Sequence, residues 1–408
     1  MLINLPRARA LISEAGLDAV VLATLPNITY SSDVASEYML GTFEDYTHAV
    51  VLPAREDVAP ALVVPDNDLP HMAESPSWID DIYSYGNPWS SIGQFIGRTL
   101  EDHLGTPFRE RLQALRRRTS QRQVGTMLEA LTTALADRGL QRARIGCDDM
   151  PIARMLEERA IGGHGGIPHV RQLMRTIRAV KTAEEVELLG RAAEINAAAL
   201  TRAAHQAHAG MRETDLIRSW RTALTELDAH HVGERGMLFG TGDASTFYLP
   251  SDQRRTLRAG EAVVLDCIGS YKRYFMDVAR TAVVGEPSEK QRHRHHAVAT
   301  SIAAAIDATR PGVHTAQIAA LICKTLVGFG LPVDTTSTLT HGIGLEVFEF
   351  PAEDGLPNGF ALEEGMVVNS EVFYRDVELG GFHMEDTVVV THNGARVLAD
   401  LSRELYRI

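Results

Sequence analysis

The residues best suited to chemistry in this chain are carboxylates set inside apolar runs. Two stretches carry them: "LRAGEAVVLDCIGSYKRYFMDVARTAVVG" from Leu257 and "LEEGMVVNSEVFYRDVELGGFHMEDTVVVT" from Leu362. Each opens with Leu, two residues and Gly (Leu257 to Gly260, Leu362 to Gly365). Each then reaches a carboxylate, Asp266 or Glu371, at the same offset from its leucine. Each turns, returns through a second carboxylate, Asp277 or Glu385, and closes with a Thr and valines. Valine-rich runs of this length, broken by Gly or Tyr turns, read as strands of a hairpin. A carboxylate inside such a run is costly to bury unless it is paired or bound to a cation. Four that converge repel one another, and one or two divalent cations remove that cost. Between the hairpins lies "THGIGLEVFEFP", whose glycines suit a close approach or sharp turn better than a helix. His341 there adds a nitrogen to an oxygen-rich set, a combination that suits Mn, Co, Fe or Zn. Any one Asp or Glu at a strand end is ordinarily a turn or surface residue; four in matched positions beside a Gly-flanked His carry the metal reading.

The elements that must position these residues occupy the second part of the chain. "HVRQLMRTIRAVKTAEEVELLGRAAEINAAAL" marks the boundary, with Thr182 and Glu185 at capping-box spacing ahead of a long periodic helix. After it, helices alternate with paired strands. Before it, "PRARALISEAGLDAVVLAT", "THAVVLPA", "APALVVPD" and "GTMLEALTTALADRGLQRARIGCDD" alternate helix and buried strand, which predicts an α/β domain over residues 1–170, followed by a catalytic domain over 171–408. The basic run "RERLQALRRRTSQRQ" and the "RHRHH" tract both read as solvated helix rather than an anion site or metal tract. The glycines of "GERGMLFGTGD" do not follow dinucleotide spacing.

With 408 residues, 45% hydrophobic, the chain is long enough for two or three packed cores. A net charge of -13 argues against nucleic-acid binding by bulk electrostatics. Cys147, Cys267 and Cys323 form no close pair, which suits a reducing compartment. Glu14 and Asp18 interrupt the early apolar residues, so neither a signal peptide nor a membrane span is expected and the location is read as cytoplasmic.

Taken together, these motifs resemble the pita-bread metallopeptidase family: methionine aminopeptidase, aminopeptidase P, prolidase and creatinase. Asp266 and Asp277 in "LDCIGSYKRYFMDVART", His341 in "HGIGLE", Glu371 in "EGMVVNSE" and Glu385 in "MEDTVVVT" match that family's five ligands. "LPNITYSSD" near the start is similar to the N-terminal domain of the aminopeptidase P, prolidase and creatinase branch. The resemblance implies an α+β fold, with a pita-bread catalytic domain behind a creatinase-like α/β domain. It also implies a homodimer and two divalent ions, bridged by Asp277 and Glu385. Asp266 would bind one ion, His341 and Glu371 the other, and a water between them would be activated for hydrolysis. A dipeptide or other small molecule is the expected substrate.

The chain departs from the peptidases around those ligands. Phe348 stands where they carry a second histidine, Phe247, Tyr248 and Leu249 stand where they carry another, and His383 replaces their Arg. Phe neither donates a hydrogen bond nor moves a proton. The leading expectation is a dinuclear Xaa-Pro peptidase-like hydrolase of a small amide or imide C–N bond. A creatinase-like hydrolase and a dimethylsulfoniopropionate-lyase-like enzyme are alternatives, and a non-catalytic interaction module is a third. In the lyase reading Tyr248, Tyr271 or Tyr274 is a candidate base; Glu349 is a candidate proton shuttle, and His383 an electrostatic contact in place of the missing Arg.

Overall fold

The computed structural model describes residues 1–35, 48–86, 105–232, 237–247, 254–349 and 359–408, and it divides into Met1–Arg178 and Ala179–Ile408. The division falls a few residues beyond the one expected at 170.

In the first unit, α1 (Leu5–Glu14), β1 (Ala19–Leu22) and α2 (Leu25–Ser32) are followed by β2 (Ala49–Pro53) and β3 (Ala61–Pro65). Then come α3 (Leu69–Glu74), β4 (Asp81–Tyr85), α4 (Thr106–Thr119) and α5 (Met127–Asp137). β5 (Ile145–Cys147), α6 (Met150–Glu157) and α7 (Arg171–Ala179) complete it. Among the described residues the strands order as β4-β3-β2-β1-β5, with β1/β5 and β3/β4 parallel. The runs AVVL, AVVLP and ALVVP are buried at every position. Such continuous apolar strands need cover on both faces. The basic run behaves as a solvated face: Arg118 pairs with Asp80 at 3.0 Å and Arg122 with Asp81 at 2.9 Å.

The second unit opens with α8 (Ala183–Gln206), whose capping box is formed: Thr182 Oγ1 accepts from Glu185 N at 3.2 Å, and Glu185 accepts from Thr182 N at 2.8 Å. α9 (Glu213–Glu226), β6 (His230–His231), β7 (Met237–Thr241), β8 (Ala262–Tyr271) and β9 (Tyr274–Val283) follow. After α10 (Glu289–Ala308) and α11 (Thr315–Gly328) come β10 (Thr336–Gly342), β11 (Val367–Asp376), β12 (Gly380–Thr391), β13 (Gly394–Val397) and β14 (Tyr406–Arg407). The sheet runs β10-β11-β12-β9-β8-β6, so the two expected hairpins, β8–β9 and β11–β12, lie side by side. Lys272 and Arg273, both at positive φ, close the first hairpin, as a two-residue turn of matching twist requires.

Strand alternation sorts the sheet's two faces. Val263, Leu265, Cys267, Met276 and Val278 point toward α8 and α9, where they pack with Leu200 and Trp220. Val368, Val372, Tyr374, Phe382 and Met384 join Ile302 and Ile318 of α10 and α11. The intervening residues of the same strands turn to the other face, and all four hairpin carboxylates are among them. From the helix side, fully buried Arg280 joins the hairpins: it donates to the Glu385 carbonyl at 2.7 Å and pairs with Asp386 at 2.6 Å. The "RHRHH" tract lies on α10 as expected, but it is not solvated throughout. His295 is buried and bonded to the Arg403 carbonyl at 2.8 Å.

Candidate metal centre

Register brings the carboxylates together. Leu339, Glu371, Glu385, Ala279 and Asp266 form one row across β10, β11, β12, β9 and β8. Directly opposed residues share a face, so Glu371, Glu385 and Asp266 project to the same side. Ala279, in the middle of the row, contributes only a methyl group and leaves room between Glu385 and Asp266. Asp277, two residues before Ala279, and His341, paired with Asn369, lie on that face too. Asp266, Asp277, His341 and Glu385 are buried, and Glu371 is partly so.

Ligand atoms of Asp277, His341 and Glu385 lie within 4.8 Å of one another, as do those of Glu371, His383 and Glu385. His341 Nδ1 is 3.0 Å from the Gly342 carbonyl, which can only accept, so Nδ1 carries a proton and Nε2 faces Glu385 Oε1 at 3.4 Å. Asp266 Oδ1 and Asp277 Oδ1 are buried with no hydrogen-bond partner among the described residues. Orphaned lone pairs on hard oxygen donors, beside an oriented imidazole, fit divalent cations.

Without a cation, protons and His383 neutralise the cluster. Burial, then the neighbouring Glu385, pushes Asp277 well above the usual carboxylate range. Burial also raises Asp266 to about 7, against the opposing pull of His383. His383 sits 2.9 Å from Glu371 and 3.7 Å from Asp266. Burial works against its charge, but the Glu371 hydrogen bond and these carboxylates raise its pKa. Burial pushes Glu371 up, but the His383 hydrogen bond and the charges of His383, His341 and Arg375 together hold it below its usual range.

The other expected residues divide. His383 is at the cluster, in ligand range of Glu371 and Glu385. Tyr271 is not: its odd offset from Asp266 puts it on the opposite face, packed toward α8 and α9. Tyr274 pairs with Tyr271 there and donates to Glu185 at 3.1 Å. Neither is placed as a base. Tyr248 lies outside the described residues. Glu349 is fully buried and held by Lys181 Nζ at 2.6 Å and Leu345 N at 2.9 Å, which makes it an anchor of the His341 loop rather than a proton shuttle. Its carboxylate lies where a Cβ on Gly344 would sit, at 2.7 Å, so this glycine is required for close approach. Phe348, 41% exposed, leans on the His341 ring at 4.4 Å. Asn369, which donates to Glu385 at 2.7 Å, was missed, although its place two residues before Glu371 put it on the ligand face.

Residues 187–392 match metallopeptidase family M24, and residues 5–180 match the Creatinase/Prolidase N-terminal domain. The Xaa-Pro dipeptidase of Pyrococcus furiosus is 30% identical over 238 residues, 58% of this chain and 67% of that one. The prolidase of Pyrococcus horikoshii superposes with a TM-score of 0.72 at 21% identity, over 98% of this chain and 99% of that one. The dipeptidase PepE of Mycobacterium ulcerans gives 0.71 at 25% identity, over 99% and 96%.

Two predictions follow from the geometry. Lys181→Met, which removes the cation paired with buried Glu349, lowers stability by about 3–5 kcal/mol, measured by denaturant unfolding; a loss under about 1 kcal/mol contradicts the anchoring role. Asp266 is raised by folding, so the metal-free protein loses stability as pH climbs from about 4 to about 7. Metal uptake displaces these protons, so affinity for manganese weakens on acidification through the same range. A metal-free Tm that is flat across it speaks against the shared-proton cluster.

Proposed function

The chain belongs to metallopeptidase family M24 and is a metal-dependent hydrolase, and from that premise we propose that it cleaves the amide bond of Xaa-Pro dipeptides. The observation that carries the reading is the set of five ligand side chains on one sheet face, with orphaned lone pairs on two of them. Similarity to an Xaa-Pro dipeptidase over most of the catalytic unit supports the substrate class and does not favour the creatinase-like, lyase-like or non-catalytic alternatives.

In this reading Asp266, Asp277, His341, Glu371 and Glu385 hold two ions, with manganese the proposed occupant among Mn, Co, Fe and Zn because the donors are mostly hard oxygens. When bound, the metals polarise the scissile carbonyl and make water a competent nucleophile near neutral pH. The chain's own groups do the rest. The Gly342 carbonyl fixes the His341 tautomer, and Asn369 orients Glu385. His383, beside Glu371 and Asp266, offers a proton near the reacting centre. Phe348 presents an exposed apolar ring next to His341, a surface for a pyrrolidine rather than a proton donor.

The proposal includes a homodimer, in line with the family resemblance, and a cytoplasmic location. The location is supported by three free cysteines, and no described helix is long and apolar enough to cross a membrane.

Ala-Pro turnover by manganese-reconstituted protein, with a chelated control, tests the function: chelator-sensitive cleavage is expected. No cleavage by protein holding two metals overturns the substrate assignment. Asp277→Ala is expected to lose bound metal and bring activity to background. Phe348→His is expected to raise kcat; an unchanged kcat means the missing imidazole is not limiting.

A further inference from the structure

The register that gathers the five ligands brings a sixth side chain to the same face. His383 stands two residues before Glu385 on β12, opposite Phe373, which stands two residues after Glu371 on β11. Alternate positions share a face, so its imidazole projects among the carboxylates. The residue is fully buried and held from two directions. Thr281 Oγ1 accepts from His383 N at 2.8 Å and donates to the His383 carbonyl at 3.2 Å. The Phe373 ring lies alongside the imidazole, with 5.0 Å between centroids and 30° between planes. A ring already fixed in this way loses little side-chain freedom when it binds an ion.

Its reach is that of a ligand. Nε2 is 2.9 Å from Glu371 Oε2. Two donors about 2.1 Å from one ion, at right angles to each other, stand about 3 Å apart, so these two atoms can share a cation at their present separation. Glu385 completes a three-residue set whose ligand atoms all lie within 4.8 Å of one another. The set of Asp277, His341 and Glu385 has the same property and shares only Glu385 with it. The described residues therefore offer two donor sets joined by one carboxylate, with one histidine in each. An arginine at position 383 could make the same ion pair with Glu371, but a guanidinium has no lone pair to give a metal, whereas an imidazole has one.

We propose that His383 is a sixth ligand of the metal centre, binding through Nε2 the divalent ion that Glu371 and Glu385 hold, so that each of the two ions has one imidazole. The inference rests on the metal reading of the site and not on the identity of the substrate. The Nε2 proton leaves to solvent as the ion enters. Nδ1 keeps its proton and faces Asp266 at 3.7 Å, so the ring still carries a proton beside the centre. A second nitrogen among the oxygens raises affinity for cobalt and zinc relative to manganese.

The test is proton magnetic resonance of the cobalt-loaded protein, prepared in light and in heavy water. Each cobalt-bound imidazole contributes one strongly shifted N–H signal that is absent in heavy water. Wild type is expected to show two such signals. His383→Arg, which keeps a cation for Glu371 but removes the ligand, is expected to show one. Calorimetry is expected to find cobalt bound more than about 10-fold more weakly by His383→Arg, with manganese affected less. A single exchangeable signal in wild type overturns the proposal, whether or not the variant folds, and leaves His383 as an ion-pair partner of Glu371. Equal cobalt affinity in wild type and His383→Arg overturns it as well. Protein that takes up no cobalt overturns it together with the metal reading. Ala-Pro cleavage by a protein with a single signal sinks only the sixth ligand and leaves the dipeptidase reading standing.

Discussion

Mutual repulsion among carboxylates that the fold does not let separate is the constraint on which this structure turns. Glu371, Glu385 and Asp266 stand in one row of a sheet, with Asp277 two residues from it. The helices behind the sheet fix that register by burying the alternate residues, so the acids cannot leave this face without a one-residue slip that would turn them against the helices and expose the core. Arg280 joins the two hairpins from the helix side, and Lys181 with Glu349 pins the loop beyond His341. Packing energy is thus used to hold an electrostatically unfavourable arrangement. Only protons, His383 or divalent cations relieve it, and the centre's chemistry follows from which of them is present.

Much of this was legible in the sequence, because strand alternation is a local signal. The matched offsets of Asp266 and Glu371 from their leucines, the returning Asp277 and Glu385, and the capping box at Thr182 each depend on residues close in the chain. The same parity rule would have removed Tyr271, whose odd offset from Asp266 places it among the helices; closeness in sequence was mistaken for closeness in space. What was not legible depends on register between distant strands. Ala279 gains its meaning only opposite Glu385, and Glu349 only against Lys181, 168 residues away.

The departures from the peptidase pattern also take physical form. Phe348 covers the His341 ring and stays exposed, which replaces a proton-carrying group by an apolar surface. His383 compensates in part, since an imidazole between Glu371 and Asp266 keeps a proton near the carboxylates. Next to it on the sheet, Phe373 stacks with both His383 and Arg375. Around the ligands, cationic groups are thus set on aromatic faces.

Anomalous diffraction from crystals of the manganese-loaded protein tests the central claim most directly. The account predicts two metal peaks, both within coordination distance of side chains drawn from Asp266, Asp277, His341, Glu371 and Glu385. Fully occupied manganese elsewhere in the molecule, or none at these side chains, would contradict it.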